Sequence, residues 1–304
     1  MNIYLPIAEM SVNVLVIIGL GALVGFLSGM FGIGGGFLTT PLLIFYGIPP
    51  AIAVASAATQ ITGSSVSGAL AYWKRGGVDV RIGTVLIAGG IVGAGLGSML
   101  FKLLQALGQI DVTINIIYVV FLGTIGGLML REALAALAAQ KAGQVAPARL
   151  RARNPLVTSL PFKMRYSESG LFISPLAPLL LGIATGILTA IMGIGGGFII
   201  VPALIYVLGM PAKMVVGTSL FQIIFVTAVT TLLHSVQSQT VDIVLAILLL
   251  AGGVIGAQFG VQAAQKLPPE RLRLFLALIV LAVAARVAYG LTVAPSELFT
   301  IYAA

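Results

Sequence analysis

Two stretches of this 304-residue sequence combine residue types that could hold an anion without a charged side chain. Gly32-Ile33-Gly34-Gly35-Gly36-Phe37 and Gly193-Ile194-Gly195-Gly196-Gly197-Phe198 recur 161 positions apart, each interrupting an apolar region. Consecutive glycines can alternate backbone conformations so that several N–H groups point into one concavity, and such nests bind anions. A helix starting at Phe37 or Phe198 would add unsatisfied N–H groups and the positive end of its dipole. Hydroxyls and amides close in sequence could donate to the same oxyanion: Thr39, Thr40 and Gln60 in the first copy, and Thr218, Ser219 and Gln222 in the second. Any one hydroxyl is more simply a helix-packing residue. Gln60 and Gln222 are bulkier, costlier to bury and matched between the copies, so they are the stronger candidates. Thr39 and Thr40 correspond to Ile200 and Val201, so the two walls are expected to differ. For one copy, a glycine hinge that only lets helices pack closely is the plainer reading. Duplication with the flanking Pro41 and Pro202 favours binding.

The elements that must position these residues follow from composition. The chain is 59% hydrophobic and only 8% charged, with a mean hydropathy of +1.15, whereas soluble domains carry about 25% charged residues. An all-α polytopic membrane protein is expected, because so few charged side chains could not cover a water-soluble fold of this size. There is no cysteine, so disulfides and thiolate metal sites are excluded. A pI of about 10.0 could suggest nucleic acid, but the basic residues fall in connections between apolar runs, where they set topology instead. Runs of roughly 20 residues, enough to cross a bilayer, lie near 13–31, 51–73, 82–104, 112–130, 174–192, 213–234, 241–265 and 272–291. The shorter runs Phe37 to Tyr46 and Phe198 to Leu208 follow the glycine phrases and read as half-helices or re-entrant segments. Met1 to Ser11 lacks the basic start of a cleavable signal, so the first helix is expected to be retained.

The repeat extends beyond the glycines. Pro49 matches Pro211, Gln60 matches Gln222, Val78-Asp79 matches Val241-Asp242, and Gly89-Gly90-x-x-Gly93-Ala94-x-x-Gly97 matches Gly252-Gly253-x-x-Gly256-Ala257-x-x-Gly260. The expected organisation is a transmembrane repeat at 1–130, a basic cytoplasmic linker at 131–170 and a second repeat at 171–304. Arg131, Lys141, Arg149, Arg151, Arg153, Lys163 and Arg165 place the linker in the cytoplasm, together with the turn carrying Lys74, Arg75 and Arg81. Eight crossings would then put Lys266, Arg271 and Arg273 outside, against the same rule. Five crossings per half, with the halves inverted, removes the conflict, and such inverted repeats are common in transporters. A four-plus-four arrangement is the alternative.

Other polar residues suggest structural duties. Asp79 and Asp242 lie beside turns and read as helix starts rather than proton carriers. His234, the sole histidine, reads as interfacial. Arg286 reads as a residue that snorkels from the last helix, with a cargo-facing role as the alternative. Lys213 is expected to open a helix on the outer side, and Tyr72 with Trp73 to anchor an interface. The glycine ladders at Gly89 and Gly252 read as helix contact faces.

Taken together, the paired Gly-x-Gly-Gly-Gly-Phe phrases, the following prolines, the glutamines, the glycine ladders and Leu160-Pro161-Phe162-Lys163 leading through Ser169-Gly170 resemble the sulfite exporter TauE/SafE family of membrane permeases. The resemblance covers essentially the whole chain. It implies a multi-pass secondary transporter of a bacterial-type cytoplasmic (inner) membrane that moves sulfite, an organosulfonate or a related sulfur oxyanion by alternating access. It also implies that Gly32 to Phe37, Gly193 to Phe198, Gln60 and Gln222 form a central site. The expected partners are the bilayer, a small anionic substrate and a coupling ion, with homo-oligomers left open and nucleic acid not among them. No cofactor, metal or catalytic residue is expected. An anion channel is one alternative. An intramembrane hydrolase is the other, and Ser28 with His234 is the only pair that could serve it.

Overall fold

The computed structural model describes residues 2–31, 36–141, 161–264 and 269–292. Among the described residues there are ten α-helices and two short β-hairpins. In the first half these are β1 (Asn2–Leu5), β2 (Met10–Asn13), α1 (Val14–Phe31), α2 (Gly36–Phe45), α3 (Pro50–Trp73), α4 (Val80–Ala106) and α5 (Ile110–Lys141). In the second they are β3 (Met164–Tyr166), β4 (Leu171–Ile173), α6 (Leu176–Met192), α7 (Gly197–Tyr206), α8 (Ala212–Leu233), a π-helical turn (His234–Ser238), α9 (Ile243–Ala264) and α10 (Pro269–Thr292). The protein is an all-α polytopic membrane protein: six of these helices are long and apolar enough to cross a bilayer. The expected half-helices are α2 and α7, ten residues each with a proline inside. Helix α5 continues past the apolar run to Lys141.

The helix starts have local causes. Pro50 opens α3, where its missing N–H costs nothing and its fixed φ suits the first turn. The Asp79 carboxylate caps α4 by accepting the Ile82 N–H at 3.0 Å, and Asp242 accepts the Leu245 N–H at 3.0 Å at the start of α9. The helix-start reading of both aspartates therefore holds.

Packing exchanges partners between the halves. Helix α1 lies along α9, α4 along α6, α3 against α8 and α5 against α10. The two glycine ladders make the first two pairs unusually close: a Cβ on Gly25 would strike the Gly253 carbonyl, and one on Gly93 would strike the Ile183 carbonyl. Contact order along these seams gives direction. Gly21, Gly25 and Gly29 meet Leu249, Gly253 and Ala257 in rising order, so α1 and α9 run parallel. Thr59 bonds Thr231 and Thr62 bonds Thr227, so α3 and α8 run antiparallel. Gly83 meets Phe221 and Gly90 meets Val226, so α4 and α8 run parallel.

The hairpins were not foreseen. Each precedes the first helix of its half, and each turn is held by the capping aspartate of the other half. Asp242 Oδ2 accepts the N–H groups of Ile7 (3.0 Å) and Ala8 (3.4 Å), while Asp79 Oδ2 accepts that of Ser169 (3.2 Å). The backbone N–H groups of the aspartates donate to matched hydroxyls, Asp79 to Thr218 at 2.8 Å and Asp242 to Ser56 at 3.2 Å. Glu9 and Gly170, 161 positions apart, both take positive φ in these turns, 52° and 66°. The repeat thus begins earlier than the sequence matches suggested.

Two expectations need correction. Lys213 does not lie at the end opposite the Lys74-Arg75 turn, because its carbonyl is within 3.3 Å of where a Cβ on Gly77 would stand. His234 is not interfacial. Its side chain is fully buried, Nε2 lies 2.9 Å from the Ala190 carbonyl, and the ring is edge-on to Phe101 at 4.5 Å. Arg286, expected to snorkel, has its guanidinium over the Phe45 ring, 5.2 Å from the centroid, on an exposed face of α10. Arg149, Arg151, Arg153, Lys266 and the tail after Thr292 lie outside the described residues.

Candidate functional site

The second glycine phrase takes the conformation its composition invites. Gly193, Gly195 and Gly196 have φ of 66°, 73° and 74°, a left-handed region that side chains other than glycine enter at a cost of about 1–2 kcal/mol. Gly193 ends α6, its N–H bonded to the Thr189 carbonyl at 2.8 Å, and Gly196 caps the start of α7. The phrase is buried throughout. It runs between three helices: Val54 and Ile61 of α3 crowd Gly193 and Gly195, Ile223 and Thr227 of α8 face Gly195, and Thr185 and Thr189 of α6 face Gly196. The backbone must approach these neighbours so closely that no side chain fits.

In the first phrase, Gly32, Gly34 and Gly35 lie outside the described residues. Its last two positions are described, and they meet the second phrase. Gly36 packs against the Ile194 carbonyl so closely that a Cβ there would be 2.5 Å from the oxygen. The Phe37 and Phe198 rings stack with centroids 4.8 Å apart and planes inclined by 15°. Both rings are buried. Helices α2 and α7 therefore begin side by side in the core, and each presents first-turn N–H groups that have no partner within the helix.

The polar residues divide into those that join this junction and those that do not. Thr39 Oγ1 donates to Gln60 Oε1 at 2.9 Å, tying α2 to α3. Thr40 Oγ1 and Tyr118 Oη both donate to the Met192 carbonyl, at 3.3 and 2.6 Å, which satisfies an acceptor at the C-terminal end of α6. The Gln60 amide lies on Gly253 of α9, and that of Gln222 lies on Gly90 of α4. The two contacts are the same one with the halves exchanged. Gln222, however, has Ile200 at the position where Gln60 has Thr39, and neither end of its fully buried carboxamide has a hydrogen-bond partner among the described residues. The expected inequality of the two walls thus falls on Gln222. Thr218 is not at the junction: its hydroxyl accepts the Asp79 N–H. Ser219 donates to the Val216 carbonyl of its own helix at 2.8 Å.

Sequence reasoning missed Thr185, Thr189 and Tyr118. The first two sit four apart just before the second phrase, a spacing that puts both on one helix face. Tyr118 is a lone phenol inside an apolar run, whose hydroxyl must find a partner once buried. None of the side chains gathered here carries a charge, so any anion held here would be held by backbone and side-chain dipoles. Ser28 and His234 do not form a hydrolytic pair. Ser28 lines a narrow cleft with Ser64 and Tyr72, while the His234 ring has Nε2 on Ala190 and Nδ1 unpartnered.

The family model described as "Sulfite exporter TauE/SafE" matches residues 17–287. A "Probable membrane transporter protein" of Xylella fastidiosa (strain 9a5c) is 30% identical over 276 residues, covering 90% of this chain and 94% of that protein. The "Probable membrane transporter protein YunE" of Bacillus subtilis (strain 168) is 25% identical over 294 residues, 92% and 98% of the two chains. A "Sulfite exporter TauE/SafE family protein 3" of Arabidopsis thaliana is 29% identical over 98 residues, 32% of this chain and 21% of its own. No solved structure matches.

Proposed function

Because the chain belongs to the sulfite exporter TauE/SafE family of membrane transporters, we propose that it is a secondary carrier of a small sulfur oxyanion, sulfite or an organosulfonate, in a cytoplasmic membrane. The observation that carries this reading is the meeting of two half-helix N-termini at the Phe37–Phe198 stack; a buried carboxamide with no hydrogen-bond partner, that of Gln222, lies on α8, the helix whose Ile223 and Thr227 face the second phrase. Helix N-termini attract anions through free N–H groups and the dipole. A carrier gains from using dipoles alone, because a buried arginine would hold the cargo too tightly to release it. The sequence has no Gly-x-x-x-x-Gly-Lys-Ser/Thr phrase, so the drive is an ion gradient or the cargo gradient itself.

Helix directions support halves of inverted topology. Helix α1 runs with α9, α9 turns back from α8, and α8 opposes α3. Helices α1 and α3 therefore point the same way, and the short α2 carries the chain back between them, giving five crossings per half. The glycine seams further suggest which bodies move. Helix α1 is locked to α9 and α4 to α6, so each moving body takes helices from both halves, with α3 and α8 meeting along the Thr59–Thr231 and Thr62–Thr227 pairs between them.

Purified protein in liposomes should take up labelled sulfite or sulfoacetate with saturation and counterflow. Flux that rises linearly with concentration and lacks counterflow would favour a channel. No flux of any sulfur anion would end the cargo assignment.

A further inference from the structure

The basic end of the α3–α8 seam, away from the glycine junction, is open. A cavity of about 610 Å³ opens there, lined by Trp73, Val78, Glu168, Pro211, Lys213 and Met214. Lys74 and Arg75 are exposed in the adjoining turn. Trp73 also forms one wall of an apolar groove of about 400 Å³ that continues between α3 and α8 past Val66, Leu70, Phe221 and Phe225. The aromatic wall is continuous, with Trp73 and Phe221 centroids 5.7 Å apart and Phe221 and Phe225 5.3 Å apart. A cavity lined by Lys213 and Glu168 and an apolar groove therefore share one tryptophan, with Lys74 and Arg75 in the turn beside them.

The dimensions fit a lipid. Val66 is about 10 Å along α3 from Trp73, and Phe225 about 18 Å along α8 from Lys213, at roughly 1.5 Å per residue. That is the reach of one acyl chain into a leaflet, half of a hydrocarbon core about 30 Å thick. Trp73 ends α3 next to Lys74 and Arg75, and tryptophan favours the boundary between headgroups and chains. Lys213 in the lining and Lys74 and Arg75 in the adjoining turn outnumber the one carboxylate there, Glu168, and the net positive charge favours a negative headgroup. Glu168, in the β3–β4 turn, offers an acceptor to a headgroup hydroxyl. The opposite end of the repeat has no such character, because the positions matching Lys74, Arg75 and Lys213 are Gln237, Ser238 and Ala51.

We infer that this cavity and groove bind one anionic phospholipid, its phosphate among Lys74, Arg75 and Lys213 and one acyl chain along Leu70, Phe221 and Phe225. Such a lipid would brace α3 against α8, the seam on which the proposed transport movement turns.

Trp73 is the only tryptophan in the chain, so its fluorescence reports this site alone. The protein, purified in detergent, is titrated with phosphatidylglycerol carrying brominated acyl chains and, separately, with brominated phosphatidylcholine. Quenching is expected to reach its midpoint at a more than tenfold lower fraction of phosphatidylglycerol. Lys213→Gln should reduce that preference about fivefold, and Lys74→Gln with Arg75→Gln should remove most of the rest. High salt should weaken it in the same direction. Equal midpoints for the two lipids, or a preference untouched by these variants, would overturn the inference. So would relief of the phosphatidylglycerol quenching by millimolar inorganic phosphate at constant ionic strength, which would mark a site for soluble anions.

Discussion

Gln222→Met and Gln60→Met are near-isosteric changes at matched positions, yet they should separate stability from transport. Both ends of the Gln222 carboxamide are buried without partners, a state that costs about 1–3 kcal/mol. Methionine fills the same space with no polar group, so Gln222→Met should stabilise the protein by about that amount. Gln60 differs. Its Oε1 accepts from Thr39 at 2.9 Å while its Nε2 is unpartnered. Removing it loses a hydrogen bond worth roughly 0.6–2 kcal/mol inside a membrane and relieves one buried N–H₂, and the two effects nearly offset. At about 2 °C per kcal/mol for a chain of this size, Gln222→Met should melt roughly 2–6 °C higher than wild type and Gln60→Met within about 1 °C of it. Transport should move the other way. A hydrogen bond to an anion is worth about 1.5–3 kcal/mol, so either variant should lose roughly 10- to 150-fold in kcat/KM for sulfite. The assays are thermal aggregation followed by size-exclusion chromatography and flux in proteoliposomes. A Gln222→Met protein that transports normally would remove the residue from the site. One that melts lower than wild type would mean that the carboxamide is satisfied in the folded protein, and the reasoning from its missing partners would fail.

Gly196→Ala adds left-handed strain of about 1–2 kcal/mol and a Cβ 3.2 Å from the Thr189 hydroxyl. It should cut transport at least tenfold while the protein still reaches the membrane. Gly209→Ala carries the same backbone strain, φ 68°, with nothing within 4 Å, and should transport normally; equal losses in both would implicate strain rather than the site. Asp242→Asn replaces one carboxylate oxygen with a donor, so the side chain can no longer accept from both Leu245 and the Ile7 and Ala8 N–H groups; hydrogen exchange should quicken at Ile7 and Ala8, whereas Asp79→Asn should quicken it at Ser169. Unchanged exchange in both variants would mean that the aspartates cap their helices without holding the hairpins.

What the sequence made legible and what it hid divide along a physical line. Long apolar helices announce themselves by composition, and the spans near 82–104 and 213–234 became α4 and α8 with ends shifted by only a few residues. The glycine phrases were equally visible, because only glycine tolerates both a left-handed φ and the approach of Val54 and Ile61. The hairpins left almost no trace. Their repeat relation rests on backbone N–H groups at Ile7, Ala8 and Ser169 meeting a carboxylate, and any residue but proline supplies an N–H. Only the aspartates had to be kept in register, and alone they resemble ordinary caps. Thr218 lies off the glycine junction for a similar reason, since a hydroxyl near Gln222 in sequence faces the Asp79 cap rather than the glycines. The inequality of the walls shows the opposite case. Thr39 against Ile200 was readable as a difference in type, but its consequence needed packing. Only when Gln60 and Gln222 are seen on equivalent glycines, Gly253 and Gly90, does the missing hydroxyl become a missing hydrogen bond. Two copies that began alike therefore tie one glutamine to a threonine and leave the other without a hydrogen-bond partner.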